Sequence, residues 1–220
     1  MTDHCPHDLD LTSALGESLT PIRLALLVPA NGFDPEIKTV LEKAMVACRQ
    51  FNIKFIETPL KPVETHYKCI SSTEIQGDMD KFLARWGNGQ TPSTFKELVR
   101  FYQMRDHHHP YGMNRLTDAL DYNPDLNNPT YRQALKEGTE NCRLAIKDAL
   151  YLTTADAVVS VGFVPWWAIG QAPYLTLPIG QRENKEMISL CVGARQWEDR
   201  KVFDIASRIE KALEEIFRKD

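Results

Sequence analysis

Between Asp156 and Pro165 the chain carries a predominantly apolar run, Ala157 to Phe163, and this run constrains the fold more than any other stretch. A short run with no regular polar alternation reads as a strand buried on both faces. A loop bearing Trp166 and Trp167 follows, and then a second short strand, Tyr174 to Leu177, closed by Pro178 and Gly180. Two buried strands joined by an aromatic loop predict a core with a rim.

The rest of the chain supplies partners for those strands. Ile22 to Val28 is another apolar run, ending at Pro29, and reads as a strand. Asp34 with Pro35 has the form of an N-cap followed by a first helical residue. From there Ile37, Val40, Leu41, Ala44, Met45, Ala47, Cys48 and Phe51 recur at three- and four-residue steps, which predicts an amphipathic helix. Asn52 ends it and Ile53 to Ile56 returns as a strand, so the segment is a βαβ unit with parallel strands. The middle is less patterned. Pro59 and Pro62 break the chain, Thr65 to Ile75 reads as strand or loop, and Asp78 to Trp86 as a short helix stopped by Gly87 and Gly89. Thr94 and Glu97 have capping-box spacing, opening a helix through Val99 and Tyr102 towards His107. Asn128-Pro129 opens a long helix, Met187 to Val192 is the last strand, and Val202 to Phe217 carries the apolar face of a closing helix. The expected class is α/β, a mixed, mostly parallel sheet flanked by helices, with residues 1–20 an acidic extended lead-in and residues 21–220 a single α/β domain.

Composition excludes several functions. A chain of 220 residues can bury roughly 70% of its unfolded surface. Its 43% hydrophobic and 25% charged content is that of a globular protein. The net charge of −4 is concentrated in the first twenty residues, and no basic stripe suits nucleic acid. No apolar run approaches the roughly 18 residues that span a bilayer. Five cysteines, Cys5, Cys48, Cys69, Cys142 and Cys191, are widely spaced with no C-x-x-C pair, which fits a reducing cytoplasm rather than a disulfide framework or a zinc ribbon.

Candidate chemistry is sparse. Asp106-His107-His108-His109 is a conspicuous cluster, but successive helical side chains point about 100° apart, so a solvated helix end is favoured over a metal site. Neither a metal nor a cofactor is expected. Cys191 lies within an apolar strand, where a small buried residue is the usual outcome and a thiol nucleophile the exception. Lys68, Ser71 and Ser72 contain the groups of a Ser/Lys arrangement, but such groupings arise by chance in polar loops. Trp166 and Trp167 differ in kind, because adjacent residues of an extended chain point to opposite faces. Either one indole faces a pocket or a partner, or both pack structurally; Phe163 and Tyr174 belong to the same candidate pocket or interface.

Several segments resemble, in order, the C-terminal half of the amidase-signature hydrolases. Thr12 to Leu27 is similar to that family's lead-in and first strand, and Asp34-Pro35-Glu36 opens the corresponding helix. Thr94 to Gly112 looks like a helix ending in a P-Y-G turn. Tyr131 to Val161 resembles the long helix and following strand, Ala172 to Gly180 the Gly-Tyr-Pro element, and Met187 to Ile209 the closing segment. The chain departs from the pattern at Gln171 and at Gly162-Phe163-Val164-Pro165. More importantly, the resemblance implies hydrolysis of non-peptide amide C–N bonds by a Ser, cis-Ser and Lys triad in a Gly/Ser-rich signature. No such run occurs among the 11 glycines here. The expectation is an amidase-family chain without its own triad, one part of a split or truncated amidase that self-associates or takes a partner chain carrying the catalytic half. The alternative is a non-catalytic descendant that binds a small amide or acyl ligand or a protein. By resemblance, the Trp166–Trp167 loop lies on the acyl-binding side.

Overall fold

The computed structural model describes residues 20–87, 89, 92–104 and 112–217. The lead-in assigned to residues 1–20 and the histidine cluster at 107–109 therefore lie outside the described residues, save Thr20. The stretch read as one α/β domain divides into two compact units, residues 1–64 with 139–220, and residues 65–138.

The first unit holds the sheet. Strands β1 (Ile22–Val28), β2 (Ile53–Pro59), β3 (Ala157–Val161), β4 (Tyr174–Gln181) and β5 (Met187–Gly193) are ordered β2-β1-β3-β5-β4. β1 pairs parallel with both β2 and β3, while β5 runs antiparallel between β3 and β4. The sheet is thus mixed, and β5 alone runs against the other four strands. The strands on either side of the tryptophans are not neighbours, because β5 inserts between them.

Burial explains the composition of each strand. The inner strands β1, β3 and β5 are covered on both sides and so are nearly all apolar, with Leu24, Leu26, Val158, Val159 and Val192 at most 0% exposed. Each such side chain contributes about 1.5–3 kcal/mol relative to exposure. The outer strands alternate instead. β4 runs on through Pro178 and Gly180 rather than stopping there. An edge strand tolerates a residue without an N–H, and a register shift between Pro178 and Gly180 absorbs the irregularity.

One face packs against α1 (Pro35–Gln50) and α7 (Asp199–Phe217), through Leu41 and Cys48 on one helix and Ile205 and Ile209 on the other. Asp34 caps α1 as its sequence predicts, accepting from the Glu36 and Ile37 N–H groups, and it also receives Arg182 Nη1 at 3.3 Å. Partial burial works to raise its pKa, but those hydrogen bonds and the guanidinium outweigh it and hold the carboxyl below its ordinary value. Arg182 also bonds Glu36 Oε2 at 2.9 Å, tying the β4–β5 turn to the start of the helix.

The opposite face carries α5 (Pro129–Thr153) from residue 139 onward and α6 (Trp166–Gly170). The segment read as an extended loop is therefore a short helix, begun at Pro165 and ended by Gln171 at φ 55°. A Cβ on Gly170 would lie 3.2 Å from Cys142 Cβ, so α6 rests closely on α5. Arg143 fastens the same junction, donating to Gly170 O at 3.0 Å and to Gln171 Oε1 at 2.7 Å.

The second unit is helical: α2 (Tyr67–Trp86), α3 (Phe95–Gln103), α4 (Asn114–Ala119) and the first turns of α5. Residues 65–75, ambiguous in sequence, belong mainly to α2. The ambiguity has a physical origin: His66 sits at the N-cap in the left-handed region with no side-chain cap, and Ser71, Ser72 and Thr73 are poor helix formers. The core joins Phe95, Val99 and Ala119 with Ile75, Met79 and Leu116. Thr94 Oγ1 caps Glu97 N–H, and the Glu97 carboxylate accepts mainly from the Ser93 N–H and hydroxyl.

At Gly193 a Cβ would fall 2.6 Å from two carbons of the Trp167 ring. Gly193→Ala should destabilise the chain by about 1–3 kcal/mol through overpacking, read from urea unfolding. In the Gly193→Ala/Trp167→Leu pair the costs should not add; simple additivity would show that the two residues do not meet.

Candidate functional site

β1 and β2 end side by side at Val28 and Pro59, and one further bond, Leu60 N–H to Val28 O at 2.8 Å, extends their pairing. Pro62 then keeps the chain extended as it leaves the sheet, and Asn141 on α5 donates to Glu64 O at 3.0 Å. This leaves a cavity of about 330 Å³ beyond the carboxyl end of β2. Its second wall is one face of α5, where Leu144, Ala145, Asp148, Ala149 and Leu152 recur with helical period, and Trp166 completes it. The carboxyl ends of strands are where ligands commonly sit in open α/β sheets.

The lining is mainly apolar, with Lys61, Glu64 and Asp148 supplying charge of both signs. Leu144 and Leu152 are 49% and 62% exposed. Among the described residues no serine, cysteine or histidine lines this cavity. It offers shape, apolar area and a few polar groups that can orient a bound molecule.

The four candidate residues separate. Trp166 is only 4% exposed and forms part of the cavity lining. Trp167 is fully buried over Gly193, its indole Nε1 without a hydrogen-bond partner. Phe163 and Tyr174 are half exposed and pack on each other, ring centroids 6.0 Å apart and planes at 54°. Neither indole is exposed: on a helical turn adjacent side chains diverge by about 100°, so both are covered, Trp166 at the cavity wall and Trp167 in the core.

Lys68, Ser71 and Cys191 are each engaged or covered. Lys68 Nζ lies 2.7 Å from Asp118 Oδ2, and the hydrogen bond and charge of that carboxylate raise the lysine pKa. A general base would need it lowered. Ser71 donates its hydroxyl to Tyr67 O at 2.7 Å. Cys191 is buried, its sulfur 3.3 Å from Thr176 Oγ1. Burial pushes the Cys48 thiol up to about 12 and the Cys142 thiol to about 11. No group of three or more His, Cys, Asp or Glu able to hold a metal occurs among the described residues.

No protein-family model and no curated protein matches the sequence. Solved structures do match. An amidase family protein from Bacillus anthracis superposes with a TM-score of 0.74 at 18% identity, over 94% of this chain and 41% of its own. The chain has the fold of part of an amidase. The native peptide amidase from Stenotrophomonas maltophilia gives a TM-score of 0.67 at 19% identity, over 93% of this chain and 46% of its own. A bacterial aryl acylamidase of the amidase signature family gives 0.59 at 12% identity, over 93% and 46%. This chain thus spans less than half the length of these amidases. The α/β fold with a mixed sheet, expected from the motifs, is the one observed.

Sequence reasoning missed the exposed face of α5. Leu144, Tyr151 and Leu152 look like core in a helix that also buries Cys142, Ile146 and Leu150. The available signal was an excess of apolar positions, more than one face of a helix packed on a sheet can bury. Trp166→Ala should cost about 3–5 kcal/mol as a core truncation, whereas Leu152→Asp, at an open position, should stay within about 0.5 kcal/mol. Chemical unfolding of the two variants reads both, and equal costs would contradict this geometry.

Proposed function

We propose that this chain is the non-catalytic portion of an amidase-type C–N hydrolase and that its catalytic residues come from polypeptide outside these 220 residues. The observation that carries the reading is the coverage: nearly all of this chain matches less than half of each amidase. The sequence supports it from the other side. Acyl transfer needs an activated nucleophile and donors aimed at the developing oxyanion, and the Gly/Ser-rich run that supplies them in the family this chain resembles is absent here. Lys68, with its pKa raised, is not a substitute.

In this reading the cavity beside β2 and Trp166 holds the apolar part of an amide or acyl compound, or a side chain of the catalytic portion. The exposed Phe163–Tyr174 pair and the open face of α5 are surfaces for such a partner or for a second copy. The spaced cysteines suit the cytoplasm, and no described helix is long and apolar enough to cross a membrane. A binding protein descended from amidases is the second reading, favoured by a mainly apolar cavity with no serine, cysteine or histidine in its lining among the described residues.

The isolated chain should hydrolyse p-nitroacetanilide and simple aliphatic amides no faster than buffer. Turnover above background that a single Ser, Cys or Lys substitution in this chain abolishes would overturn the proposal. Light scattering should show self-association at high micromolar concentration. Adding a polypeptide that bears the Gly/Ser-rich signature should replace the self-association with a mixed complex that gains amidase activity. A chain that stays monomeric and binds no such polypeptide belongs to the second reading.

A further inference from the structure

The second unit contains a concavity that the amidase reading does not use. It lies between α2 and α4 and has a volume of about 460 Å³, within the range of small-molecule sites. Its apolar surface comes from Ile75, Leu116 and Ala119, and charge stands at its edge. The two helices are fixed to each other. Gln76 Nε2 donates to Ala119 O at 2.7 Å and to Tyr122 O at 2.8 Å, satisfying carbonyls at the end of α4. The Lys68–Asp118 pair closes the other side at 2.7 Å. A cleft held this way loses little freedom when it binds.

The charges are unequal in what remains available. Asp118 is engaged by Lys68, and Asp121 lies near enough to add to the field on that lysine. Arg115 also lines the concavity, and no carboxylate pairs with it among the described residues. Its planar fork is suited to two parallel bonds to a carboxylate. Lys68 uses one of its donors on Asp118 and keeps others. An apolar floor beside a guanidinium that no described carboxylate engages fits an anion with a greasy body better than a cation or a neutral sugar.

We propose that the groove between α2 and α4 binds small organic carboxylates, the carboxylate on Arg115 and the apolar body over Ile75 and Leu116. The site lies wholly within residues 65–138 and does not depend on the amidase reading. Calorimetric titration of the 220-residue chain with octanoate and with its neutral isostere octanamide tests it. The Arg115-dependent part of octanoate binding should saturate at one per chain and be at least tenfold tighter than that of octanamide, whatever the cavity beside β2 binds. Arg115→Gln should remove that preference, weakening octanoate at least tenfold while the unfolding midpoint stays in place, and Arg115→Lys should restore part of it. Leu152→Asp, in the other cavity, should leave this Arg115-dependent binding unchanged. Absence of octanoate binding at millimolar concentration, equal Arg115-dependent binding of the amide, indifference to Arg115→Gln, or loss of the Arg115-dependent binding through Leu152→Asp would each overturn the assignment. Amide hydrolysis appears in none of these readouts, so failure of one proposal does not imply failure of the other.

Discussion

Only glycine at position 193 lets α6 settle on the sheet, because a Cβ there would stand 2.6 Å from the Trp167 ring. Much of the first unit follows from that close approach. With the indole seated over β5, Gly170 reaches Cys142 and Arg143 can bond the end of α6. α5 is thereby held at a fixed height over the strands, and Trp166, one residue before the buried indole, is turned to the cavity beside β2. A bulkier residue in either glycine position would disturb packing and cavity together. Position and shape of the site are consequences of backbone closeness rather than of any polar network.

The electrostatics of the described residues are those of a scaffold. Several cationic groups hold elements together: Arg182 at the start of α1, Arg143 at the end of α6, Lys68 across α2 and α4. Where a thiol pKa is displaced, it is displaced upward by burial, away from reactivity. Enzymes that work near neutral pH shift their groups in the direction that activates them. The carboxylate and lysine shifts here accompany capping and ion pairing.

Local patterns were legible wherever one interaction dominated. The runs Ile22–Val28 and Met187–Val192 became strands almost to the residue, and Asp34-Pro35 and Asn128-Pro129 opened helices as their capping chemistry requires. Illegible features were decided by distant partners. Nothing in Tyr174–Gln181 announces that β5 will pair beside it and leave Pro178 on an edge, and nothing in Tyr67–Ile75 announces a helix, since its start lacks a cap. The two tryptophans were recognisable as a special pair, but their environment depended on Gly193, some 26 positions further along the chain. Of the site, the sequence marked Trp166; the wall supplied by Leu144 and Leu152 was not marked, because it depends on where α5 lies against the end of β2.

The edge at β4 shapes what can be built on this protein. Pro178 has no N–H to offer, and the shifted register at Gly180 breaks the even spacing that a newcomer strand would need. Ladder growth from one molecule to the next, the route by which open sheets become fibrils, is blunted on that side. Any polypeptide that completes the fold there must therefore recognise it by side-chain packing, which is selective, rather than by main-chain pairing, which accepts almost any sequence.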